Sequence, residues 1–265
     1  MARTIGVISL KGGVGKTSSV AALGVALADF GKRVLLVDAN LSAPNLGIHF
    51  NIINPENTLH DVLNRDINIK DAIYVVADKF HVLPAGLFNK IKTNPFKLKD
   101  VLKGVDKDYD IILVDSSPAL NYETLAAVLA SDELFVVTTP DYSTLSTTLK
   151  AVKMAKQKGV PVSGIILNKV YNKHFEISFE DIEKTIGVPI LAVIPHDIHV
   201  LEAQANFTAS TMHSPKSPGS IEFKKLAATL IGEKYTPFSF KALVTGFRPS
   251  RQDINREIFY ERVFK

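Results

Sequence analysis

Two lysines flank a glycine cluster in KGGVGKTSS, residues 11–19. Gly12, Gly13 and Gly15 carry no Cβ, so successive backbone N–H groups can turn inward around a phosphate where a helix begins. Lys16 is spaced to reach the β and γ phosphates of a nucleotide and the Thr17 hydroxyl to ligate Mg²⁺, with Val14 and Ser18 completing the loop. The strict spacing G-x-x-x-x-G-K-[ST] fails, because Leu10 stands where the first glycine belongs. One lysine is enough for one phosphate cluster, so Lys11 calls for a separate role.

The elements around this loop are legible as alternating units. Seven apolar runs read as buried strands: 4–10, 33–38, 80–84, 110–115, 134–139, 163–168 and 190–195. Helices are expected near 17–30, 58–65, 96–104, 121–130, 143–158, 176–186 and 220–232. Alternation of this kind predicts an α/β fold, a doubly wound and mostly parallel sheet flanked by helices. The glycine loop follows the first strand and opens the first helix, at the carboxyl edge where such sheets bind ligands. The alternation stops after Gly232, which divides the chain into a domain over 1–232 and a tail over 233–265.

Composition narrows the function classes. With 265 residues, 46% hydrophobic and 22% charged, the chain can bury a core and is neither disordered nor fibrous. It contains no cysteine, which excludes disulfides, thiolate zinc sites and cysteine-held iron–sulfur clusters. The opening MARTIGVISLKGG is too short in apolar residues for a signal-peptide core, so a cytoplasmic location is expected. A formal charge of +4 and a pI near 9.0 permit an anionic partner without requiring one.

KGGVGKTS resembles the deviant Walker A loop of the MinD and ParA ATPases, whose signature is the extra lysine, here Lys11. The resemblance spans about residues 4–232 and implies a P-loop ATPase that binds ATP and Mg²⁺. It also implies that Lys11 reaches across an ATP-dependent homodimer to the partner's nucleotide, a cation supplied in trans as an arginine finger is. VDANLSAPNLG (37–47) looks like the family's switch I and VDSSPAL (114–120) like its Walker B and switch II, which makes Asp115 and Asp38 Mg²⁺ residues. A lone strand-end carboxylate is also a common cap or turn former. LNK (167–169) and IPHD (194–197) resemble the base-recognition segments, giving Asn168, Pro195 and Asp197 to the adenine.

Two departures qualify the resemblance. The family's Asp-x-Asp in switch I reads Asp38-Ala39-Asn40 here, and an amide cannot accept a proton. Phosphoryl transfer needs little base assistance, so slow turnover is expected, with Asn40 positioning the attacking water. In switch II, Leu120 replaces a glycine. The tail carries Phe240, Leu243, Val244 and Phe247 as one apolar stripe within 238–248, a candidate amphipathic contact for the membrane's inner face or for a partner. The last stretch, RQDINREIFYERVFK, has apolar residues all round and reads as a protein-binding segment.

The leading expectation is an ATP-driven switch that positions a cellular assembly such as the division site or a pole, with an activating protein partner. A ParA-like action on DNA is the alternative, resting on lysines 150, 153, 156 and 158 and on lysines 90, 92, 97, 99, 103 and 107. Other classes are a regulator that hydrolyses little, a metallocofactor-assembly ATPase, a ligase and a tyrosine kinase. The absent cysteines oppose the assembly ATPase, and only Tyr235 and Tyr260 in the tail oppose the kinase.

Overall fold

The apolar runs become strands whose alternate residues face two separate hydrophobic layers. The computed structural model describes residues 1–87, 93–237 and 250–264. In chain order its principal elements are β1 (Arg3–Ile8), α1 (Lys16–Asp29), β2 (Val34–Asp38), α2 (Leu59–Asn64), β3 (Tyr74–Ala77), β4 (Phe80–Leu83), α3 (Leu98–Leu102) and β5 (Ile111–Asp115). They continue with α4 (Tyr122–Leu129), β6 (Glu133–Thr138), α5 (Tyr142–Gln157), β7 (Val162–Val170), α6 (Phe179–Ile186), β8 (Ile190–Pro195), α7 (Ile198–Ala205), α8 (Ser210–His213), α9 (Pro218–Leu230) and α10 (Arg251–Phe264). The strands form one eight-stranded sheet in the order β3-β4-β2-β5-β1-β6-β7-β8. All neighbours are parallel except β3, which pairs antiparallel with β4.

Val34 and Leu36 of β2, Ile111 and Leu113 of β5, and Phe135 and Val137 of β6 point to a layer filled by α1 and α9. Their neighbours Leu35, Val37, Ile112 and Val114 point to the opposite layer beneath α2 and α3. Leu134 and Val136 join Val152 and Ile165 in a third cluster under α5. A sheet covered on both faces needs unbroken apolar strands, which is why these runs do not alternate with polar residues.

The expected α/β architecture is present, with, among the described residues, one strand more than the seven anticipated. β3 has Val75 70% exposed, so it carries little hydrophobic signal, and it lies at the sheet edge. Three helices were also not anticipated as part of the body: α7, α8 and α10. Of these, α10 is the stretch read as partner-binding, and it packs on the chain itself. Asn255 and Arg256 donate to the carbonyls of Ile190 and Leu191, each at 2.8 Å, and Phe259 is buried in the layer with α1 and α9. The apolar stripe at 238–248 lies outside the described residues. Among the described residues no helix is long and apolar enough to cross a membrane.

Candidate nucleotide-binding site

The loop between β1 and α1 sits at the centre of the sheet, where β1 lies between β5 and β6. Gly13 and Gly15 take φ of 78° and 88°, a region costly for residues with a Cβ, and Gly15 caps the N-terminus of α1. The helix therefore starts at Lys16 with its unpaired N–H groups aimed into the cleft, a natural anion site.

Lys16 is buried and its Nζ forms an ion pair with the fully buried Asp115 at the end of β5. Thr17 Oγ1 donates to the other oxygen of Asp115 at 2.7 Å. These three residues, far apart in sequence, meet because β1 and β5 pair in parallel register, Val7 opposite Asp115.

Asp38 stands opposite Asp115 on β2, but its side chain does not join this cluster. One oxygen accepts from the N–H of Asn40 at 3.2 Å, the other from Asn45 and Leu46 at 3.0 and 2.9 Å. Asp38 thereby anchors the loop that follows β2. Burial pushes this carboxyl up to about 7, the charge of Asp115 adds to the rise, and the Leu46 N–H and Lys16 oppose it. Asn40 is equally committed to the loop, its Nδ2 donating to the Ala43 carbonyl and its Oδ1 enclosed without a partner.

Lys11 takes another course. Its Nζ reaches Ser143 Oγ at 2.5 Å, Thr144 Oγ1 at 2.9 Å and Asp141 Oδ1 at 3.4 Å, at the N-terminus of α5. Burial alone would raise the Asp141 carboxyl, but the hydroxyls of Thr139, Thr144 and Ser143 hold it well below the usual carboxylate range. The Lys11 side chain is 41% exposed.

The remaining candidates close the other end of a cleft of about 470 Å³. Asn168 Nδ2 donates to the Val14 carbonyl at 2.8 Å and Lys169 Nζ to that of Gly13 at 2.7 Å, so β7 braces the loop from behind. Pro195, His196 and Asp197 line the cleft, with Asp197 capping α7 through His199 N–H at 3.0 Å. Ser18 receives a hydrogen bond from Gln204 of α7 at 2.7 Å. The cleft also includes Asn45 and His49, which the sequence reading passed over. Their only signal is position, in the loop that leaves the carboxyl end of a central strand.

Family models match the chain twice: an AAA domain over residues 2–162 and the NifH/frxC family of 4Fe-4S iron sulfur cluster binding proteins over 92–243. The second match carries the scaffold alone, since this chain has no cysteine to hold a cluster. An uncharacterised ATP-binding protein of Methanocaldococcus jannaschii is 38% identical over 239 residues, covering 89% of this chain and 90% of that one. The cell division ATPase MinD of Pyrococcus furiosus superposes with a TM-score of 0.81 at 36% identity, covering 86% of this chain and 97% of that one. The septum site-determining protein MinD of Pyrococcus horikoshii, solved with Mg-ADP, gives a TM-score of 0.82 at 35% identity, covering 87% and 96%. Loop sequence, strand-end geometry and these matches agree, and the chain belongs to the MinD/ParA family of P-loop ATPases.

Proposed function

We propose that this chain is a nucleotide-operated switch that binds Mg-ATP in the cleft, dimerises when ATP is bound, hydrolyses it slowly and so positions a cellular assembly such as a division site or pole. The observation that carries this reading is the contrast between its two loop lysines. Lys16 is sealed against Asp115, whereas Lys11 stands half exposed at the rim, where the nucleotide of a second copy can reach it. The MinD names of two similar structures support the positioning role. An activating protein partner belongs to the same reading. So does the division into a nucleotide-binding domain at 1–232 and a tail at 233–265.

The residues present fit the ligand. Thr17 and Asp115 bring a hydroxyl and a carboxylate together, the hard oxygen donors that Mg²⁺ takes beside phosphate oxygens. When bound, the ion neutralises charge on the phosphates. Lys16 exchanges Asp115 for phosphate, the N-terminus of α1 receives the anion, and Asn168 with Pro195 and Asp197 flanks the base.

Sedimentation velocity of the full chain in Mg-ATP and Mg-ADP, with Lys11→Ala beside the wild type, tests the switch. A dimer in ATP alone, lost in the variant, is the expected result; a monomer in both nucleotides defeats it. Membrane contact by 238–248 is read by co-sedimentation with anionic liposomes, using Phe240→Ser and Phe247→Ser in the full chain. Truncation at Gly232 is unsuitable because it removes Phe259 from the core. DNA is the second reading, supported by Lys150, Lys153, Lys156 and Lys158, all exposed on or just after α5. Its mark is binding that falls steeply with salt.

A further inference from the structure

Resting on the ATPase reading above, we propose that His49 orients the water that attacks the terminal phosphate, accepting a hydrogen bond from it at an imidazole nitrogen. The amide at position 40 is already spent. Asn40 Nδ2 donates to Ala43, and its Oδ1 is shut away from solvent. His49 lines the same cleft as Asn45, Pro118 and the phosphate loop. Among the described residues its ring nitrogens have no hydrogen-bond partner.

The ring lines the cleft that the phosphate loop walls. Asp115, which holds Lys16 and Thr17, is the charge that acts on it. Burial lowers the imidazole below its ordinary range and outweighs the pull of Asp115, so one nitrogen is a bare acceptor at neutral pH. The turn that carries His49, Gly47–Phe50, is firmly seated. Phe50 packs edge-on against Phe80 at 5.0 Å, Leu46 is fully buried, and a Cβ on Gly47 would stand 2.8 Å from the Ile52 carbonyl. A fixed backbone fixes the ring's approach to the cleft.

In the step itself, the water oxygen bonds to the γ phosphorus as the bond from phosphorus to the bridging oxygen breaks. The electron pair leaves on ADP, and the water's proton ends on the released phosphate. His49 holds the water's orientation and takes no proton, which a loose transition state permits.

The test compares wild type, H49L and H49Q in the full chain, measuring Mg-ATP turnover and the binding of a fluorescent ATP analogue. H49L fills the space without an acceptor and is expected to lower kcat by roughly tenfold or more at unchanged nucleotide affinity. H49Q restores an acceptor and recovers most of the lost turnover. The inference is overturned if H49L turns over like wild type, if its nucleotide binding falls as far as its turnover, or if H49Q is as slow as H49L. A wild type that binds ATP without hydrolysing it overturns the inference alone. One that binds no nucleotide breaks the ATPase reading, and the inference with it.

Discussion

Lys11 and Lys16 leave the same loop and arrive in opposite environments. Lys16 lies in the dry centre of the sheet with its charge matched by Asp115, while Lys11 lies at the rim among the hydroxyls and carboxylate that start α5. A charge that has been stripped of water needs a partner at all times, so Lys16 can only trade one anion for another inside the site. A half-solvated charge holds its contacts weakly and can leave them. The first lysine is therefore suited to gripping a nucleotide and the second to answering a change in what surrounds the rim.

Removing Lys16 has the largest expected consequence. Lys16→Ala leaves Asp115 buried without a countercharge, and the urea midpoint should fall by the equivalent of about 3–5 kcal/mol, with nucleotide binding lost. Pairing it with Asp115→Asn should return part of that stability, because both charges are then gone. A double variant as unstable as the sum of the two singles would show that the pair is not coupled as its geometry requires.

Next in size is the pH response of Asp38, the neighbour of this pair. Its folded carboxyl is raised to about 7 while an unfolded one titrates near 3.8, so between those values the folded state holds the extra proton. Stability from this group is therefore complete at low pH and declines as pH climbs from about 4 towards 7. Asp141 acts oppositely and in a different window: its depressed carboxyl stabilises the fold at higher pH, and that contribution is lost on acidification below the usual carboxylate range. Asp38→Asn should flatten the decline between 4 and 7 in denaturation midpoints taken across pH, leaving the acid limb in place. An unchanged slope would mean that another group titrates in that window.

The difference between the two lysines also separates what sequence could and could not disclose. Gly13, Gly15, Lys16, Thr17 and Asp115 were legible because each is dictated by local chemistry at a strand end, and parallel pairing of β1 with β5 then brings them together. The apolar strands were legible because both faces of the sheet are buried, whereas β3, exposed and at the edge, was not. That Asp38 anchors its own loop was not legible, because a strand-end carboxylate looks the same in sequence whether it faces a cation or caps its own loop. The answer depended on where the N–H groups of Asn45 and Leu46 would fall. His49 escaped notice because its placement follows from that loop's path, and α10 because only a folded β8 shows which of its residues face inward. Lys11's contact with α5 spans 130 residues of sequence, beyond the reach of any local pattern.

That contact supplies the smallest effect and the sharpest test of the comparison. Lys11→Ala should shift stability by no more than about 0.5 kcal/mol, the usual range for an exposed side chain. Asp141→Ala should cost about 1 kcal/mol, mostly from losing the cap on the Thr144 N–H, which it accepts at 2.9 Å. The coupling between the two, taken from a double-mutant cycle at low and at high salt, should stay under about 1 kcal/mol and shrink as salt rises. A small coupling means that an incoming phosphate can draw Lys11 from Asp141 at little expense, as a lysine serving two alternative partners requires. A coupling as strong as that of the buried pair would make the rim contact a structural clamp, and the contrast behind the proposed switch would lose its physical basis.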